Sequence, residues 1–297
     1  MSKTTALFFT AVGLSVATAF GADNSDKVPY KRTENVVYKV ADGVGLILDV
    51  FEPKGAKNGK ALVDTLSGAW YSEQGQVNDH FRGGIFDIFC SRGYTVFMIR
   101  PGSRTRFTAE EMVKNLKTGI RWVKAHAADY GVDPEKVGIT GASAGGHLTL
   151  LTVVTPEEAD PGSDDPLLRF DTTVQTAAVF FPPTDFIDWN GEKPNYERLG
   201  NILFPGGLGG RSAQEVEAKA REISPALRIE KAPPPLLLIH GDADEAVPLQ
   251  QSHRMVEEVE KAGGEIKLIV KEGGGHPWLT IPEEVKVMAD WFDERLK

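Results

Sequence analysis

Short, nearly unbroken apolar runs recur along the chain at residues 61–66, 94–99, 136–140, 176–181, 235–239 and 266–270. Two earlier runs, 36–40 and 45–51, flank the turn signal Ala41-Asp42-Gly43 and read as an antiparallel hairpin. Between the later runs lie stretches with a helical rhythm. One spans 109–130 through Met112, Leu116, Ile120 and Val123 and stops at Gly131; others cover residues near 80–92, 249–262 and 281–296. Strands that are apolar on both faces, alternating with helices, predict an α/β fold. Its sheet is eight-stranded, mostly parallel and flanked by helices on both sides.

One segment breaks this rhythm. Residues 186–223 carry Trp189, Tyr196 and Phe204 in a Gly- and Pro-rich context, with the run Gly206-Gly207-Leu208-Gly209-Gly210 and a helical stretch over 213–222. So long an excursion is usually functional or disordered. It follows the end of a strand, where such sheets bind ligands, so it is expected to form a small lid. Trp189 and Tyr196 are then expected to contact substrate.

Composition narrows the class. A chain of 297 residues with 41% hydrophobic content can bury one large core. A net charge of −9 without a basic stripe argues against nucleic acid as partner. The single cysteine, Cys90, sits in an apolar run and reads as a small buried hydrophobe. At the N-terminus, Lys3 precedes an apolar stretch over 6–14 and then the small residues Ala17, Ala19, Gly21 and Ala22. That order predicts a signal peptide over 1–22, cut after Ala19, Gly21 or Ala22. The remainder, 23–297, is expected to be one secreted or periplasmic domain carrying the 186–223 insertion, with no membrane span.

The chemistry concentrates in Gly141-Ala142-Ser143-Ala144-Gly145, placed between a predicted strand and helix. A serine there projects from a sharp turn, and the helix behind it offers free N–H groups to an anion. Its hydroxyl needs a histidine base oriented by a carboxylate. Of six histidines, His126, His147 and His253 fall within helices, His80 at a helix start and His240 at a strand end. His276 follows Gly273-Gly274-Gly275 on a loop after the last strand and is the expected base. The loop His240-Gly241-Asp242-Ala243-Asp244 offers two acids. Asp244 is favoured as the triad member and Asp242 as a residue that orders the loop. The Ala144 N–H is one expected oxyanion donor. The second should come from the loop Ser67-Gly68-Ala69-Trp70, with Trp70 either lining the substrate site or sitting in the core. The order Ser, Asp, His matches a known arrangement.

These motifs resemble the α/β-hydrolase superfamily, in its feruloyl-esterase-like and hormone-sensitive-lipase-like esterase branch. The resemblance spans roughly residues 35–295. It is carried by Ser67-Gly68-Ala69-Trp70, Asp133-Pro134, the Gly141–His147 run, the 240–244 loop and Gly275-His276. It implies that Gly68 and Ala69 give the oxyanion N–H groups. It also implies a secreted serine carboxylesterase acting through an acyl-enzyme on small-molecule or polysaccharide-linked esters, acetyl or feruloyl among them, with no metal or organic cofactor. Leu66 stands where relatives carry a histidine, Ser67 replaces their first glycine, and Arg100-Pro101-Gly102-Ser103 replaces their Asp-Tyr-Arg. A serine peptidase resembling the prolyl-oligopeptidase catalytic domain, and a non-catalytic binding protein on the same fold, are the rival expectations.

Overall fold

The computed structural model describes residues 27–297, and the expected leader at 1–22 lies outside the described residues. The chain runs β1 (Tyr30–Ala41), β2 (Val44–Pro53), β3 (Ala61–Thr65), α1 (Gln74–Gly83), α2 (Ile85–Ser91), β4 (Thr95–Ile99), α3 (Ala109–Ala125), β5 (Val137–Ala142), α4 (Ala144–Val154), β6 (Thr176–Phe180), α5 (Tyr196–Leu203), α6 (Ala213–Glu222), β7 (Leu236–Gly241), α7 (Gln250–Lys261), β8 (Ile266–Lys271) and α8 (Ile281–Arg295). The sheet order is β1-β2-β4-β3-β5-β6-β7-β8. The β1–β2 and β2–β4 pairs are antiparallel and all the others parallel. This is the eight-stranded α/β-hydrolase architecture.

Apolar content explains the layering. Strands β3, β4, β6 and β7 are buried along their whole length, as strands covered on both faces must be. One face packs Met112, Leu116 and Ile120 of α3, Leu148 of α4 and Met255 of α7. The other packs Val77, Phe86, Phe89, Met288 and Phe292 from α1, α2 and α8. Cys90 belongs to this second layer, and burial, aided by the nearby Asp87 charge, pushes its thiol up to about 12.

Local signals set the element ends. Thr108 and Glu111 form a capping box that starts α3. The helix expected near 80–92 is two helices, because Gly84 turns into the left-handed region (φ +75) between them. The rhythm over 109–130 also overstates one helix: α3 ends at Ala125, and Ala127–Tyr130 forms a separate 3-10 turn.

The parallel strands deliver Ser67, Ser143, Phe181, Asp244 and His276 to one edge of the sheet, beyond the C-terminal ends of β3, β5, β6, β7 and β8. Two of these loops touch through bare backbone. A Cβ on Gly241 would lie 2.1 Å from the Gly274 carbonyl oxygen, which no packing tolerates. Gly241→Ala is therefore expected to cost about 1–3 kcal/mol of stability, a fall of several degrees in melting temperature. Gly55→Ala, whose Cβ would meet nothing within 4 Å, should leave the melting curve in place. Equal melting curves for the two variants would contradict this close approach.

Candidate active site

The turn between β5 and α4 holds Ser143 at φ 52°, ψ −121°, a conformation that costs energy for any residue with a Cβ. Its surroundings enforce it. The Ser143 N–H donates to the Phe180 carbonyl at 3.0 Å, and its carbonyl accepts from the His147 N–H at 2.9 Å. Gly145 lets the helix start close to β3: its N–H donates to the Ser67 carbonyl at 2.8 Å, and a Cβ there would lie 2.5 Å from the Thr65 oxygen. The sharp turn and the nearby glycine thus answer two steric demands.

The structure brings Ser143, His276 and Asp244 together. His276 Nε2 lies 2.9 Å from Ser143 Oγ, and Nδ1 lies 2.6 Å from Asp244 Oδ2. An ionised carboxylate only accepts, so Nδ1 carries the proton and Nε2 is left to accept from the serine hydroxyl. Burial alone would raise the Asp244 pKa. Hydrogen bonds from His240, His276 and the Val247 N–H outweigh that and hold it well below the usual carboxylate range. Oδ1 accepts from the N–H groups of Ala246 and Val247 at 2.9 and 2.8 Å. Asp242 instead ties the two loops together, accepting the Gly273 N–H at 2.7 Å.

Beside Ser143 stands the turn Gly68–Tyr71. Its central residues, Ala69 and Trp70, both have positive φ (48° and 63°), as in a type I′ turn. Here the structure corrects one expectation. The Gly68 N–H is bound to the Tyr71 carbonyl at 2.9 Å and is not available to an oxyanion. Among the described residues, the N–H groups of Ala69 and Ala144 have no protein acceptor. Support lost with the absent histidine comes from elsewhere. Ser72 Oγ lies 2.9 and 3.0 Å from the Leu66 and Gly102 carbonyls, and the Arg104 N–H donates to the Trp70 carbonyl at 2.7 Å. Arg100 turns to the buried Asp49 of β2, at 3.4 Å, together with Arg32 at 2.6 Å.

The aromatic residues expected against substrate face the core. Trp70 is 8% exposed, and its indole N–H donates to His147 Nδ1 at 3.0 Å. Tyr196 packs against the buried cluster and spends its hydroxyl on the Phe186 carbonyl at 2.8 Å. Trp189 packs on the same cluster, 6.1 Å from the Phe186 ring, and Phe204 is buried. Covering large aromatic surfaces against an existing core stabilises more than exposing them over an open cleft. Two helices, α5 and α6, stiffen this insertion, and α5 is one that the apolar rhythm did not reveal. A cavity of about 530 Å³ lies nearby, lined by residues including Asp185, Asp188, Arg221, Gln250, His253 and Arg254, but neither Ser143 nor His276 is among its walls.

Three other histidines have partners of their own. His80 pairs with the buried Asp64 at 2.7 Å, and His126 stacks on Trp122. His240 is buried under the acid loop, donating from Nε2 to the Val247 carbonyl at 2.8 Å. The run of apolar strand residues gave no sign of one neighbour of His276: Phe181, at φ +35°, lays its ring 4.3 Å from the imidazole. Among the described residues no group of three or more His, Cys, Asp or Glu side chains is arranged to hold a metal ion.

A family model described as BD-FAE matches residues 48–259. The chain is 29% identical over 201 residues to a probable carboxylic ester hydrolase, LipM, of Mycobacterium tuberculosis, covering 65% of this chain and 43% of that protein. It spans about half the length of the curated relatives it matches. A truncated carbohydrate esterase from gut microbiota superposes with a TM-score of 0.78 at 27% identity, over 90% of this chain and 97% of that one. A propionate-bound thermophilic esterase, Est2, of Thermogutta terrifontis gives a TM-score of 0.67 at 27% identity, over 89% and 93%.

The two aspartates divide their tasks in a way mutants can read. Asp244→Asn should place the wrong tautomer on His276 and lower kcat on an activated ester by on the order of 10⁴. Asp242→Asn should leave kcat within a few-fold while lowering the melting temperature slightly, since it only replaces the charged acceptor of the Gly273 N–H with a neutral, weaker one. A reversal of the two effects would move the acid to Asp242.

Proposed function

The chain belongs to the BD-FAE family of α/β-hydrolase esterases, and from that premise we propose that it hydrolyses carboxylic esters through an acyl-enzyme on Ser143. The observation that carries this reading is the pair of short contacts from His276, 2.9 Å to Ser143 Oγ and 2.6 Å to Asp244 Oδ2. His276 Nε2 takes the hydroxyl proton as Oγ attacks the ester carbonyl. The carbon–oxygen bond to the alcohol then breaks, and the imidazolium returns its proton to the leaving alkoxide. Water repeats the sequence in reverse to free the acid. Asp244, ionised by its hydrogen bonds, stabilises the imidazolium between these steps.

Ala69 and Ala144 supply the N–H groups for the tetrahedral oxyanion. Both are unspent, and Ala144 stands at the first position of α4, where the helix dipole also favours negative charge. The substrates are small or carbohydrate-linked esters with short acyl groups. The gut-microbial neighbour named a carbohydrate esterase and the propionate-bound neighbour both support this class. Nitrophenyl acyl esters of increasing length, acetylated xylan and methyl ferulate rank the acyl preference directly. We further propose that the protein is exported by residues 1–22, on the charge–apolar–small pattern there. Mass spectrometry of the protein recovered from outside the cytoplasm should show a chain beginning at Phe20, Ala22 or Asp23, and an intact Met1 would refute export by cleavage.

Ser143→Ala is expected to fold with an unchanged melting temperature and to lose roughly 10³-fold or more in ester turnover. The wild type should take up one equivalent of a fluorophosphonate probe and the variant none. Near-normal turnover in folded Ser143→Ala would overturn the reading.

A further inference from the structure

We infer that His147 is a positioning residue for the oxyanion turn, a strut that fixes Trp70 and through it the Ala69 N–H against the nucleophile helix. The inference rests on the ester-hydrolase reading above and adds a residue to it. His147 is fully buried with both ring nitrogens occupied. Nε2 lies 2.7 Å from the Ile223 carbonyl, and Nδ1 lies 3.0 Å from Trp70 Nε1. A carbonyl only accepts and an indole N–H only donates. The two bonds therefore select one state, neutral imidazole protonated at Nε2. Burial favours the same state, pushing the His147 pKa down to about 4. A residue that donates at one end and accepts at the other, at this length, is either an imidazole or a carboxamide.

The turn needs such a hold. Trp70 at φ +63° is a bulky side chain in a conformation that suits glycine, and such strain persists only where the surroundings over-determine it. The Arg104 N–H holds the Trp70 carbonyl, and the Arg104 guanidinium lies 6.0 Å from the indole ring. The bond to His147 is the one contact among these that reaches α4. His147 sits one turn after Ser143, with its N–H on the Ser143 carbonyl at 2.9 Å. The two unspent oxyanion donors, Ala69 on the turn and Ala144 on the helix, are thus referred to one rigid body. Oxyanion stabilisation depends on donor placement, and about 1 Å of misplacement costs on the order of 10²-fold in rate.

The same imidazole receives both ends of the 186–223 insertion. The Phe186 ring stands edge-on at 4.9 Å from it and 6.0 Å from Trp70, and Ile223 supplies the carbonyl at the far end. The insertion therefore acts on turnover through His147 and the oxyanion turn, by a route that needs no contact between its aromatic side chains and the substrate.

Trp70→Phe tests the strut, because it keeps a ring in place and removes only the N–H. The variant is expected to keep KM within about twofold and a melting temperature within a few degrees. Its kcat on nitrophenyl acetate should fall by about 10-fold or more, part of the 10²–10³ lost when an oxyanion donor is deleted. Affinity for a trifluoromethyl ketone, which forms the oxyanion on Ser143, should fall by the same factor as kcat/KM. His147→Gln, which keeps a donor and an acceptor, should retain more of kcat than His147→Leu. Imidazole nitrogen NMR separates the two layers of the argument, since it reads the His147 tautomer and the Trp70-dependent shift of Nδ1 without substrate. A strut visible by NMR in a protein that cleaves no ester would refute the hydrolase reading alone. Normal kcat in folded Trp70→Phe, or equal losses in His147→Gln and His147→Leu, would refute the strut and leave the hydrolase reading standing.

Discussion

One backbone hydrogen bond, from the Gly145 N–H to the Ser67 carbonyl at 2.8 Å, fixes the geometry on which the site depends. It joins the loop after β3 to the first turn of α4, and it exists because residue 145 has no side chain to hold the two apart. With that contact made, the loop that leads into the Ala69 turn is held against the first turn of α4, next to Ser143. Any residue larger than glycine at 145 would separate them before it disturbed the core.

His276 and Asp244 are brought together by the same device on the other side of Ser143. Gly241 and Gly274 let the loops after β7 and β8 touch, and the Asp242 carboxylate closes the gap by accepting the Gly273 N–H. Asp244 can then accept from the Ala246 and Val247 N–H groups and from His276. The fold thus presents three loops from separate strands, each pinned by backbone contact, so that three side chains meet without any of them needing to be held by the substrate. A site built this way is organised before substrate arrives, which is the condition for electrostatic stabilisation to be strong.

What the sequence revealed follows the range of the interactions involved. The strand and helix periods are local, so the eight strands and most helices were legible from apolar spacing. Ser143 was legible because its pentapeptide encodes a local turn, and His276 because three glycines announce a bendable loop. Asp244 and Asp242 were told apart by position, Asp244 lying further into the loop and Asp242 nearer the strand end, where an aspartate bonds backbone N–H groups. The Gly68–Tyr71 turn was not legible at the level of single N–H groups. Whether Gly68 or Ala69 has a free N–H depends on the turn type, and Ala69 and Trp70 adopt positive φ only because tertiary contacts impose it. The directions of Trp70, Trp189 and Tyr196 were equally hidden: a pattern records that an aromatic residue is present, while the packing around Phe186 decides which way it faces. Helix α5 escaped notice because it is short and lies in a Gly- and Pro-rich stretch, although Asn195 at its N-cap was a usable sign.

The most direct test of this account is a crystal structure of the protein after reaction with a nitrophenyl phosphonate. The account predicts phosphorus on Ser143 Oγ, with its non-bridging oxygen about 2.7–3.1 Å from the N–H groups of both Ala69 and Ala144. The Gly68 N–H should remain on the Tyr71 carbonyl, and the indole of Trp70 on His147. A phosphoryl oxygen bound by Gly68, or one held by neither Ala69 nor Ala144, would contradict it.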